Sequence, residues 1–171
     1  GSGIGFTTLN DGLQYGTYPY GTRVQDRDIS LNIPDAVMIY GVFLGDSETN
    51  GGDPEAPSMT VASMDGPTNT TNDLIVGEEV IGSISGARAI YLVRKTDTSI
   101  NFVYENKTSF SPGEVINFQE SGVSAVASAI VVNSRNVTKD FNFFTGQKKS
   151  HYDYSRIRRR QDVSTPQNKL K

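Results

Sequence analysis

The one histidine of the chain, His151, lies in KKSHYDYSR (148–156). Acid–base work by a histidine needs a carboxylate to orient the ring and a nucleophile within hydrogen-bond reach. Lysines and tyrosines flank this one, so a surface residue is favoured over a catalytic one. Zinc needs several His or Cys ligands, and one histidine without any cysteine cannot supply them. The same lack excludes disulfides and thiolate chemistry. Asp46, Glu48 and Asn50 alternate ahead of Gly51, like the first half of a calcium loop, and are the candidate metal ligands. Pro57 stands where a bidentate Glu belongs, so the EF-hand pattern fails. A looser site with Asp53 and Glu55 stays open beside the plainer reading, a solvated acidic loop. Asp26 and Asp28 could pair for glycoside hydrolysis, but nothing selects that pair and both read as surface. Three N-x-Ser/Thr sequons, at Asn69, Asn106 and Asn136, read as chance in an Asn- and Thr-rich chain. No phosphate or dinucleotide fingerprint occurs. No catalytic residue and no cofactor are expected, and the chain reads as non-enzymatic.

Binding chemistry gathers towards the two ends. Arg156, Arg158, Arg159 and Arg160 follow Tyr152 and Tyr154. Arginine beside aromatics grips single-stranded nucleic acid or docks on an acidic protein face. Residues 146–171 carry a net +6, whereas residues 1–145 carry −9. A body that repels phosphate favours the protein partner, and nucleic acid is not expected. A solvated basic connector is the bland alternative. QYGTYPYGTR (14–23) reads as a turn-rich extended arm, whose Tyr15, Tyr18 and Tyr20 offer contact area with a polar tip. These five tyrosines and four arginines are the expected interface residues.

The elements that must position them read as short strands. The chain has 171 residues, is rich in Gly, Ser, Thr and Asn, and contains no apolar run long enough to span a membrane. ISLNI (29–33) alternates as a strand does. AVMIYGVFLG (36–45) reads as a buried strand, and MTVASM (59–64) as another. DSETNGGDPEAPS (46–58) and DGPTNTTND (65–73) read as loops. GEEVIGSISGARA (77–89) then returns thirty-six residues later as GEVINFQESGVSA (113–125). Gly77 and Gly113 are expected to enter the strands, and Gly86 and Gly122 to turn them back, because a sharp turn with positive φ wants glycine. In ARAIYLVRK (87–95), Ala89, Tyr91 and Val93 share one face and Ile90 and Leu92 the other. Turns every 8–12 residues imply an all-β barrel or sandwich built from two similar three-strand units, 74–109 and 110–144, the second closing with VTKDFNFF (137–144). The expected organisation is an N-terminal arm (1–28), a β domain (29–144) and a basic C-terminal arm or linker (145–171).

Several stretches resemble a long virion structural protein of contractile-tailed cyanophages: QYGTYPYGTRVQDRDISLNIPD, DLIVGEEVIGSISGARA, FSPGEVINF and FFTGQKKSHYDYSRIRR. The resemblance runs from about Gln14 to Lys171, and Gly146, Gln147 and Tyr152 to Ile157 are its most specific part. It implies a non-enzymatic piece of the tail, baseplate or fibre apparatus, made in the host cytoplasm and carried in the virion. Its implied partners are other virion proteins or copies of itself. It also implies a segment of a longer polypeptide, in keeping with an opening Gly-Ser-Gly that reads as a cloning scar and a final NKLK without a cap signal. The alternative is a host-surface binding module for glycan or protein, built on the two polar loops.

Overall fold

A computed structural model describes residues 23, 25–34, 36, 38–45, 54–145, 154–165 and 170. Eleven strands follow among them: β1 (Asp28–Pro34), β2 (Phe43–Leu44), β3 (Ser58–Ala62), β4 (Glu79–Gly82), β5 (Arg88–Thr96), β6 (Ser99–Tyr104), β7 (Val115–Phe118), β8 (Ser124–Val131), β9 (Arg135–Asn136), β10 (Phe141–Phe144) and β11 (Tyr154–Arg159). The molecule is all-β, with 3₁₀ turns at Thr71–Asp73 and Thr138–Asp140. It forms two compact units, one of residues 56–132 and one of 1–55 with 133–171. That division replaces the single 29–144 domain expected from the sequence.

In the 56–132 unit six strands close on themselves as a small barrel in the order β3-β6-β5-β4-β7-β8, every neighbour antiparallel. Alternation buries one face of each strand, so Met59, Val61, Val80, Ala89, Tyr91, Ile100, Phe102, Ile116, Phe118, Ala125 and Ala127 fill the interior. Small alanines beside aromatic rings let Tyr91 and Phe118 meet edge-to-face with ring centroids 6.5 Å apart.

The register exposes an internal twofold relation. Between β4 and β7, Ile81 pairs with Asn117, its own counterpart thirty-six residues on, while Val80 and Gly82 pair with Phe118 and Ile116. Both long strands also carry a one-residue irregularity at the same offset. Tyr91 and Val93 oppose Phe102 and Asn101, and Ala127 and Ala129 oppose Val61 and Thr60. The extra residues, Leu92 and Ser128, correspond. This bulge turns Val93 off the interior face expected for it, and it is 38% exposed.

Two strand assignments change. The third strand of the second half is β3, not 137–144: Val61 takes towards Ala127 the place that Phe102 takes towards Tyr91. The ring must pair the open edges of both β6 and β8, and β3 does so from a position before the repeat. Nor does β4 begin at Gly77, which is expected to enter it: Gly77 turns at φ 89° and the strand starts at Glu79.

In the other unit β11 lies between β1 and β10. Residues expected as a C-terminal arm are thus the central strand of a sheet. Ile29, Phe141 and Ile157 bury their side chains on one face of it, with Val42, Val137 and Leu170 in the same core. Among the described residues of 36–45, only Phe43–Leu44 is strand, paired with β9. Val42 and Phe43 are buried, but Met38 and Tyr40 are exposed, so the segment does not form the fully buried strand its apolar run suggests.

Candidate functional site

Two buried carboxylates of the barrel unit belong to the repeat. Glu78 and Glu114 follow Gly77 and Gly113, whose φ values of 89° and 88° swing the chain inwards just before each short strand. Both glutamates are 1% exposed. Each carboxylate reaches across the twofold relation into the other half. Glu114 Oε2 accepts from the Ile84 and Ser85 amides, at 3.0 Å each. Its Oε1 accepts from Ser85 Oγ and the Ser111 amide, both at 2.7 Å. Glu78 does the same in reverse: Oε2 accepts from the Glu120 and Ser121 amides at 3.0 and 2.8 Å. Its Oε1 accepts from Ser121 Oγ at 3.1 Å and the Ile75 amide at 2.8 Å.

The locked turns are the two Ser-Gly turns of the sequence. Gly82 and Ala87 pair backbones around the first, and Phe118 and Val123 around the second. Gly86 and Gly122, at φ 68° and 73°, complete them. Ser85 and Ser121 then use their hydroxyl oxygens to accept from the amides of Ala87 and Val123. Four donors on one buried carboxylate favour its charged form. For Glu114, burial pushes the carboxyl up, but the Ser85 and Ser111 amides, the Ser85 hydroxyl and the Ile84 amide outweigh it and hold the group below its ordinary value. With their acceptor positions filled, these carboxylates serve as fasteners between the halves. The burial of Tyr91 beside them raises its phenol, Arg94 opposes that and Glu78 adds to it.

The expected turn residues Gly77, Gly86, Gly113 and Gly122 thus frame the locks. The glutamates themselves were missed. The signal for them was a charged residue repeated at one offset among turn formers, while the adjoining Glu79 has Val115 as its counterpart.

Of the expected interface residues, Tyr15, Tyr18, Tyr20 and Tyr152 lie outside the described residues, as do His151 and the calcium candidates Asp46, Glu48 and Asn50. No cluster of metal-binding side chains occurs among the described residues. The structure places Tyr154, Arg156, Arg158 and Arg159 on β11, with Arg160 directly after it. Tyr154 is 55% exposed. Arg158 Nε donates to Asp28 at 2.6 Å. Arg159 Nη1 donates to the Gln25 carbonyl at 3.2 Å, and its amide to the Arg27 carbonyl. The Arg160 amide donates to the Asp140 carbonyl. Asp26, read as a surface residue, is instead buried, and its carboxylate accepts from the Arg23 amide and guanidinium. Asp28 is held by Arg158, so the two aspartates are engaged separately.

The sequons serve local structure. Asn106 accepts from the Arg88 amide and donates to the Gly86 carbonyl, beside the first locked turn. Asn136 accepts from the amide and hydroxyl of Thr138. Comparison with protein-family models, curated proteins and solved structures gives no match.

Proposed function

We propose that the chain is a non-enzymatic structural module of a phage virion, working by assembly in the tail, baseplate or fibre apparatus with other virion proteins or copies of itself. The observation that carries this reading is the pair of reciprocal locks. Each half of the barrel fastens the turn of the other with a buried carboxylate that holds four donors. Fully satisfied buried networks rigidify a fold and specify one arrangement of it. A rigid frame suits a part that presents contact surfaces without deforming. The resemblance of the quoted stretches supplies the phage setting. Mass spectrometry of purified particles of a phage encoding the chain tests it, and peptides from 56–132 are expected at a fixed copy number. Their presence in infected cells but absence from particles would overturn the proposal.

The second reading, host-surface binding, draws on the 65–73 loop. Asp73 fixes that loop by accepting from the amide and hydroxyl of Thr68, leaving Thr68 and Asn69 exposed at its tip. Binding to host envelope glycan that is lost in Thr68→Ala would support it, and a glycan array without hits would remove it.

A further inference from the structure

Among the described strands, the first three never pair with one another. β1 pairs with β11, β2 with β9, and β3 with β6 and β8. Sequential strands usually lie side by side. In both units of this chain, the strands before residue 63 are instead matched to strands after residue 78. One connection, 63–78, therefore joins two parts that complete each other's sheets.

That connection is fastened at both ends. Asp65 stays on β8: its amide donates to the Ser124 carbonyl at 3.2 Å, and its carboxylate accepts from the Ser124 amide at 2.6 Å. Thr71 is tied to the β5–β6 hairpin, where its hydroxyl donates to the Thr96 carbonyl and its amide to the Asp97 carbonyl. Between them residues 66–70 make a tight turn, closed by the Asn69 amide on the Gly66 carbonyl at 3.2 Å. The backbone is strained there. Asn69 has φ 54°, and among the described non-glycine residues only Ser63, at 51°, shares a positive φ. Both lie in this connection, and an L-residue is disfavoured in that region by its Cβ. Gly66 also packs so closely on Asp73 that an added Cβ would lie 2.7 Å from its Cγ and 2.8 Å from its Cβ. The bonds from Thr68 to Asp73 that hold the turn are exposed, and water replaces them at little net cost.

A short strained connection between two mutually completing parts favours exchange between copies. We infer that two copies of this chain exchange their N-terminal parts, up to Asp65, so that the β3 of each closes the ring of the other, with the turn 66–70 as the hinge. The occupant is a second copy because of what the gap between β6 and β8 requires. It takes a strand that points Met59 and Val61 inwards and carries the irregularity between Thr60 and Val61, which another β3 does. Every strand pairing is kept on exchange. The balance is therefore set by strain relieved at two hinges against the cost of bringing two chains together. The inference deepens the assembly reading, and rests on it for the close spacing of copies that offsets this cost.

The chain has no cysteine, so a pair can be introduced into a clean background. Ser58 on β3 faces Val131 on β8. The full chain carrying Ser58→Cys and Val131→Cys is refolded from urea at about 1 mM and oxidised. Exchange predicts dimers by light scattering whose disulfide joins two chains on a denaturing gel. The native chain gives a second reading should that variant not fold. Isotopically heavy and light chains should form mixed dimers when refolded together, but not when folded pools are mixed, because both units must open first. Gly66→Ala crowds only the closed turn, and each dimer opens two hinges, so it should lower the concentration of half-dimerisation about tenfold or more. Gly-Ser-Gly-Ser inserted between Pro67 and Thr68 gives the turn slack and should raise it. The inference is overturned if the native chain stays monomeric at about 1 mM, if dimers carry the disulfide within each chain, if folded pools mix freely, or if Gly66→Ala folds and leaves the midpoint unchanged. A chain found in particles but closed on itself would sink the exchange and leave the assembly reading. Exchange by a chain absent from particles would do the reverse.

Discussion

Replacing Glu114 with glutamine should open a turn that belongs to the other half of the repeat. The substitution keeps the shape of the side chain but exchanges one oxygen for an NH₂ group. One way round, the new NH₂ faces the Ile84 and Ser85 amides; the other way, it faces the Ser111 amide and forces the Ser85 hydroxyl to turn from donor to acceptor. Either way two charge-assisted hydrogen bonds are lost or replaced by a weaker neutral one, each contributing about 1.5–3 kcal/mol. The turn relaxes and water reaches part of it, which leaves a net loss of about 3–5 kcal/mol. That is a large share of the roughly 5–15 kcal/mol that holds a small domain folded. Hydrogen exchange resolves where the loss falls. Protection at Ile84 and Ser85 should drop by a factor of about a hundred to a few thousand, at about 1.4 kcal/mol per tenfold. The 119–122 turn of the same half should keep its protection, because Glu78 still holds it. Glu78→Gln should give the mirror image, exposing Glu120 and Ser121 and sparing Ile84 and Ser85. If Glu114→Gln loosened 119–122 as much as 83–86, or if urea unfolding moved by less than about 1 kcal/mol, the reciprocal locking argument would be wrong.

Three further outcomes follow from the same geometry. Because the folded Glu114 carboxyl is held below its ordinary value of 4.5, the lock should be fully present above that pH and weaken as pH falls through the folded value. Urea midpoints should therefore decline more steeply on acidification for the native chain than for Glu114→Gln, and parallel curves would remove Glu114 as the source. Gly86→Ala meets open space at φ 68° and should cost about 1–2 kcal/mol of backbone strain. Gly82→Ala, whose Cβ would meet Ser85 Oγ at 2.6 Å and both Glu114 oxygens at 2.8 Å, should cost more and deprotect Ile84 and Ser85; equal thermal shifts for the two would contradict this. A permuted barrel running from Thr70 to Val131, through Asn-Gly, into Ser58 to Asn69 should keep the native exchange pattern, since Val131 already faces Ser58 as Thr96 faces Ser99; a chain that stays unfolded would show that β3 is not interchangeable with a following hairpin strand.

What the sequence disclosed was local. Gly77, Gly86, Gly113 and Gly122 could be placed because positive φ leaves a strong residue preference, and the alternation in 87–91 marks its buried side directly. The origin of the sixth strand was not legible. VTKDFNFF alternates as well as MTVASM does, and only ring closure decides which of them lies beside β8. The glutamates were hidden for a related reason: a carboxylate reads as exposed until its donors, twenty-nine and forty-two residues away, are brought to it. The strand β11 was masked by its charge. In YSRIRR the buried Ser155 and Ile157 alternate properly, but the arginines between them read as a solvated run. The guanidiniums of Arg156 and Arg158 instead lie over the Phe144 ring of the neighbouring strand.

The locks also explain why the unit occurs twice. Within its own half, Glu114 would retain one described donor, the Ser111 amide, and Glu78 would retain the Ile75 amide. A carboxylate buried with a single donor is strongly unfavourable, so each copy holds in place a group that it cannot stabilise alone. Its remedy lies on the turn of its counterpart, and the relation is mutual. Neither half can therefore drift into a separate binding specialisation on its glutamate or its Ser-Gly turn without unfastening the other. Positions outside this exchange are freer to diverge. Ile84 is exposed where its counterpart is Glu120, and Ile81 faces Asn117 across the pseudo-axis, yet the locking contacts on both sides are the same. Specificity for partners is thus expected on the outward positions of the barrel, with the duplicated interior holding both halves in one register.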